Sequence, residues 1–124
     1  MSAEGIASPD GLPVVHARGR AGWRLWLENN HETQRGAWLV FAKKGSSLAS
    51  VTYDEAVEEA LAFGWIDSRS NKADDARYLQ LFTKRKPRSA WAATNRERVA
   101  RLIADGRMTP AGMAAVEAAK RNGT

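Results

Sequence analysis

The side chains best suited to chemistry in this chain are Trp65, Asp67, Ser68, Arg85, Arg88, Ser89, Trp91, Asn95 and Arg96. Trp65-Ile66-Asp67-Ser68 reads as a short strand that runs out in an acid and a hydroxyl. Thr83-Lys84-Arg85-Lys86-Pro87-Arg88 is the densest basic run, and it leads into Ser89, a natural N-cap. A helix start offers unpaired N–H groups and partial positive charge, which favour an anion. Arg85 and Arg88 add fork-shaped donors for carboxylate or phosphate. Trp65 or Trp91 can cover a planar ligand. The expected partner is an anionic small molecule or peptide. Each residue also has a purely structural use. Asp67 can pair with Arg88 or Arg96, Asn95 can bond backbone, both indoles can be core, and Ser89 can simply cap, a role worth about 1 kcal/mol.

Catalytic signatures are missing. The chain has no cysteine, no Gly-x-Ser-x-Gly and no glycine-rich phosphate loop after a strand. Its two histidines, His16 and His31, lie in separate segments, so neither a transition-metal centre nor another cofactor is expected. Glu58-Glu59 and Asp74-Asp75 are adjacent pairs, which do not face the same way on a helix, and they read as solvated surface. Binding is therefore expected rather than catalysis, with a small-anion-binding enzyme of unknown reaction as an alternative.

Charge supplies a further alternative. The net charge is +5, but residues 1–62 carry −2 and residues 63–124 carry +7. A basic half can attract nucleic acid. The stretch 84–101 holds Lys84, Arg85, Lys86, Arg88, Arg96, Arg98 and Arg101, suited to phosphate contacts with little sequence readout. Weak, non-specific nucleic-acid binding is the most it suggests, because Glu97 interrupts the run and zinc-finger and RRM signatures are missing. No apolar run reaches membrane-spanning length and no signal peptide opens the chain. With the lack of cysteine, this predicts a cytoplasmic protein.

The elements that must position these residues are legible from periodicity. A length of 124 residues predicts one domain, with 1–11 as a flexible Gly/Ser/Pro-containing end and 12–124 as the folded unit. Leu12 to His16 is short and extended, and Pro13 restricts it to an edge strand or a loop. A helix over 21–30 carries Trp23, Trp26 and Leu27 on one face, widened by Leu25. Ala37 to Ala42 is apolar on both alternating sets, as expected of a strand covered on both faces. Thr52 and Glu55 form a capping box for a helix whose apolar face is Tyr53, Ala56, Val57, Ala60 and Leu61. Gly64 ends that helix. A strand at Tyr78 to Phe82 pairs with Trp65 to Ser68 across a loop of roughly ten residues, long for a hairpin. Helices follow over 90–105, with Trp91, Val99, Leu102 and Ile103 inward, and from Pro110 to Arg121. The prediction is α+β: a small, mostly antiparallel sheet of about three strands packed with about four helices.

Three stretches together carry a resemblance. They are Trp23-Arg24-Leu25-Trp26-Leu27-Glu28 with Gly36-Ala37-Trp38-Leu39-Val40-Phe41; Thr52-Tyr53-Asp54-Glu55-Ala56 through Phe63-Gly64-Trp65-Ile66-Asp67-Ser68; and Ser89-Ala90-Trp91 with Asn95-Arg96-Glu97-Arg98-Val99 and Gly106-Arg107-Met108. In that order they resemble the YdeI/OmpD-associated family of bacteriocin-protection proteins. The resemblance implies a small cytoplasmic bacterial α+β protein tied to stress and antimicrobial-peptide tolerance, and it brings no catalytic residues. The chain departs from the family pattern at Ala92, where a second serine is common, and at Thr83-Lys84-Arg85-Lys86, where Thr-Pro-Arg-Arg is more usual.

Overall fold

A computed structural model describes residues 8–45, 50–85 and 93–121. In chain order the elements are β1 (Val14–Val15), α1 (Arg20–Asn30), β2 (Gly36–Ala42), α2 (Tyr53–Ala62), β3 (Trp65–Lys72), β4 (Arg77–Lys84), α3 (Ala93–Ala104) and α4 (Pro110–Arg121). The class is α+β, as expected. The sheet has four strands rather than three, in the order β1-β2-β4-β3. β1 runs parallel to β2, and the other pairings are antiparallel. Pro13 stands just before this two-residue edge strand, and its carbonyl accepts from Trp38 N at 2.8 Å.

β2 is covered on both faces. Ala37, Leu39 and Phe41 join Trp23, Leu27, Trp65 and Phe82 in the main core under the helices. Trp38 and Val40 meet Leu79 and Leu81 in a smaller cluster on the opposite face, closed by Leu12, Val14 and Ala73. There the Trp38 indole donates to Asp10 Oδ1 at 2.9 Å, and Arg69 lies 5.4 Å from the Trp38 ring. Asp10 thus ties its part of the expected N-terminal segment to the sheet; residues 1–7 of that segment lie outside the described ones.

The α2 capping box forms as expected, with Thr52 and Glu55 satisfying each other's backbone N–H groups. Gly64 stops the helix at φ 78°. α2 sits centrally, touching α1, α3, α4 and β3, so it is buried around most of its circumference. Tyr53, by contrast, is 43% exposed at its end. On α1, Trp23 and Leu27 are fully buried, but Leu25 is 57% exposed and does not widen the face.

The β3–β4 hairpin corrects the sequence reading. β3 continues past Ser68 to Lys72, through an irregularity between Asp67 and Ser70, and only residues 73–76 connect it to β4. Asp74 Oδ1 makes that turn by accepting from the N–H groups of Ala76 (2.9 Å) and Arg77 (2.8 Å). Ser68 to Lys72 has the composition of a loop, yet pairing with β4 overrides its low strand propensity. Its charged, exposed residues suit an edge strand.

The expected start of the third helix at Ala90, and Trp91 on its inner side, lie outside the described residues. Within α3, Val99 and Leu102 are buried while Ile103 is 46% exposed. Gly106 ends α3 at φ 71°, with Gly106 N bonded to Ile103 O and Arg107 N to Leu102 O, a Schellman motif. Thr109 caps α4 by accepting from Gly112 N at 3.2 Å, and its hydroxyl donates to Ala62 O at 2.6 Å, clamping α4 to the end of α2.

Candidate anion-binding groove

β3 begins and β4 ends side by side. Trp65 is opposite Lys84 in register, and Arg85 N donates to Gly64 O at 2.8 Å. This pairing brings Trp65, Lys84 and Arg85 to one corner of the sheet. His31 and Glu32, just past α1, and Ala111, Ala114 and Ala115 of α4 complete a groove of about 320 Å³ there. Its width depends on small residues: a Cβ on Gly64 would lie 3.1 Å from Ala111 O and 3.2 Å from Ala115 Cβ.

Lys84, Arg85 and His31 bring donors to this groove, and Glu32 brings one carboxylate. Trp65 is wholly buried, and its indole N–H has no partner among the described residues. A buried donor without an acceptor costs about 1–3 kcal/mol, so the site is destabilised unless something accepts from it. Arg85 is half-buried, and burial pulls its guanidinium below its ordinary value, which leaves it charged. Lys84 Nζ sits 3.5 Å from Glu32 O. His31 Nδ1 lies 2.8 Å from Leu27 O, so that nitrogen carries the proton as donor and Nε2 remains to accept or, when protonated, donate.

The structure divides the remaining predicted site residues. Asp67 Oδ2 accepts from Tyr53 Oη at 2.5 Å. Burial and then the Asp67 carboxylate push the Tyr53 phenol up to about 12. Ser68 is exposed at the irregular step of β3. Asn95 Oδ1 accepts from Arg98, which also donates to Asp54 at 2.6 Å. Arg96 lines a different groove, between α3 and α4. Arg88, Ser89 and Trp91 lie outside the described residues. Of the predicted cluster, Trp65 and Arg85 are brought together, and Lys84 and His31 are added to them.

Sequence reasoning also missed a buried ionic centre. Glu59, read as solvated surface, is completely buried and held by three arginines. Arg20 Nε donates to Oε2 and Arg24 Nη1 to Oε1, each at 2.8 Å, and Arg107 also donates to Oε2. Neighbouring Glu58 is held by Arg20 and Arg101. Burial pushes the Glu59 carboxyl up, but the hydrogen bonds from Arg24 and Arg20 and the Arg107 charge outweigh it and hold the group below its ordinary value. Arg20 is held high in turn: burial opposes its charge, and the two carboxylates more than offset that. Arg20 and Arg24, one turn apart on α1, were the available sequence signal for an inward acid on a facing helix.

Fold and groove together define a small α+β domain with a corner, bearing Lys84 and Arg85, where two antiparallel strands meet a helix of small residues. The chain belongs to the family described as a domain of unknown function (DUF8412), whose model matches residues 15–115 and so spans all of the groove-forming positions. No curated protein and no solved structure matches the chain. Among the described residues, no helix is long and apolar enough to cross a membrane.

Proposed function

We propose that this protein binds a small anion, a carboxylate or phosphate, in the groove formed by Trp65, Lys84, Arg85 and His31. The observation that carries this reading is a groove lined by Lys84, Arg85 and His31 together with the buried Trp65, whose indole N–H has no partner among the described residues. An anion there accepts from the indole and is balanced by Lys84 and Arg85. The role is binding rather than catalysis: among the described residues the groove holds no nucleophile–base pair. The resemblance to the YdeI/OmpD-associated family supports a bacterial, cytoplasmic setting and a contribution to stress or bacteriocin tolerance.

Nucleic-acid binding through 84–101 ranks second. Arg98 and Arg101 are engaged by Asp54 and Glu58, which removes two of the phosphate contacts that reading needs.

The test is calorimetric titration with phosphate, nucleotides and short carboxylates. Wild type is expected to bind one of them saturably, Arg85→Gln to lose about tenfold or more through the missing charge-assisted bonds, and Trp65→Phe to weaken binding while remaining folded. Equal binding by all three proteins would overturn the proposal. In the source organism, deletion should raise sensitivity to a bacteriocin, with rescue by wild type but not by Arg85→Gln; unchanged sensitivity would remove the tolerance role.

A further inference from the structure

The second groove lies between α3 and α4, which both pack on α2. It measures about 240 Å³, and its walls are aliphatic: Val99 and Ile103 of α3, Val116 and Ala119 of α4. Its charged members are Arg96, in the first turn of α3, and Lys120, in the last turn of α4. Each cation stands toward the end of its helix remote from the 105–109 connection, while Ile103 stands near that connection. From Arg96 to Ile103 the helix rises about 10 Å. The volume lies above the roughly 150 Å³ that accommodates benzene and below the roughly 300 Å³ where drug-sized pockets begin. The apolar lining is not closed over: Ile103 is 46% exposed, where the helix periodicity directs it inward.

An apolar groove whose two charged lining residues are both cations matches a molecule with one short alkyl chain and one anionic head. We propose that the α3–α4 groove is a site for a free, medium-chain aliphatic carboxylate, its chain on Val99, Ile103 and Val116 and its head between Arg96 and Lys120. This site is separate from the Trp65–Arg85 groove, and charge complementarity selects the occupant over a neutral or cationic amphiphile.

The experiment follows amide and methyl NMR shifts on the full chain with octanoate and decanoate below their micellar range, against octanol and octylammonium. Saturable shifts are expected at Val99, Ile103 and Val116, with decanoate tighter than octanoate by about fifteenfold, the effect of two buried methylenes. Arg96→Gln and Lys120→Gln, both at exposed positions, should each weaken binding several-fold without lowering the melting temperature. Ile103→Glu should abolish it by placing a carboxylate beside the chain. Affinity independent of chain length, or equal binding of octylammonium, would overturn the proposal. So would co-sedimentation with anionic phospholipid vesicles, or capture of an acidic peptide, without decanoate binding. Because inorganic phosphate has no alkyl chain, its behaviour at Trp65 tests the first groove independently.

Discussion

Replacing Glu59 by Gln keeps the size and shape of a fully buried side chain while removing its charge. Three guanidinium groups then converge on a neutral amide, although Arg20 keeps Glu58 and Arg24 keeps Glu28. Leaving one side of a buried ion pair uncompensated costs about 3–5 kcal/mol. Arg20, Arg24 and Arg107 retain 33%, 25% and 37% of their side-chain exposure, so they can partly rehydrate. The lower end, about 3 kcal/mol, is therefore expected, equivalent to a fall of about 10–15 °C in melting temperature for a domain of this size. Urea unfolding of wild type and Glu59→Gln at several pH values is the assay. The folded-state carboxyl titrates below its ordinary 4.5, so its stabilisation is fully present above that value and is lost as pH falls through the folded value. The difference between the two proteins should be constant near neutrality and shrink in acid. A loss under about 1 kcal/mol, the range of exposed pairs, or a difference that grows in acid, would refute the clamp.

Trp38→Ala should cost about 3–5 kcal/mol as a large-to-small change at a fully buried site, measured by chemical denaturation. Gly112→Ala puts a Cβ 2.2 Å from Ala62 O; because backbone must move, overpacking should cost about 3 kcal/mol or more, read as a lower melting temperature. Ultraviolet titration of Tyr53 should place its midpoint near 12, and Asp67→Asn should bring it part of the way back, since burial remains. The raised value means that Tyr53 adds stability below its ordinary 10.0, lost as pH rises toward 12, and Asp67→Asn, with its smaller upward shift, should lose less stability over that alkaline range.

The α2 cap, its glycine stop and the two-faced β2 strand were legible because each rests on local chemistry: Thr52 with Glu55, Gly64, and an unbroken apolar run. The hairpin was not. Ser68 to Lys72 looks like loop because its strand character comes from pairing with β4, not from its own residues. Glu59 was misread because helix periodicity assigns one buried face, whereas α2 is surrounded and turns a second face toward α1 and Arg107. Of the candidate site residues, Trp65 and Arg85 lie together, but their juxtaposition comes from the Trp65–Lys84 register, which no local pattern contains. Asp67 was drawn away by Tyr53, which sits fourteen residues earlier in the chain.

The Trp65 indole N–H signal, assigned by its disappearance in Trp65→Phe, tests the anion groove most directly. Titrated with phosphate or a short carboxylate, it should move downfield and saturate together with the amides of Lys84 and Arg85, and Arg85→Gln should abolish that movement in a folded protein. An indole signal that stays fixed at millimolar anion, or shifts spread over every basic surface, would contradict the assignment of this groove as a binding site.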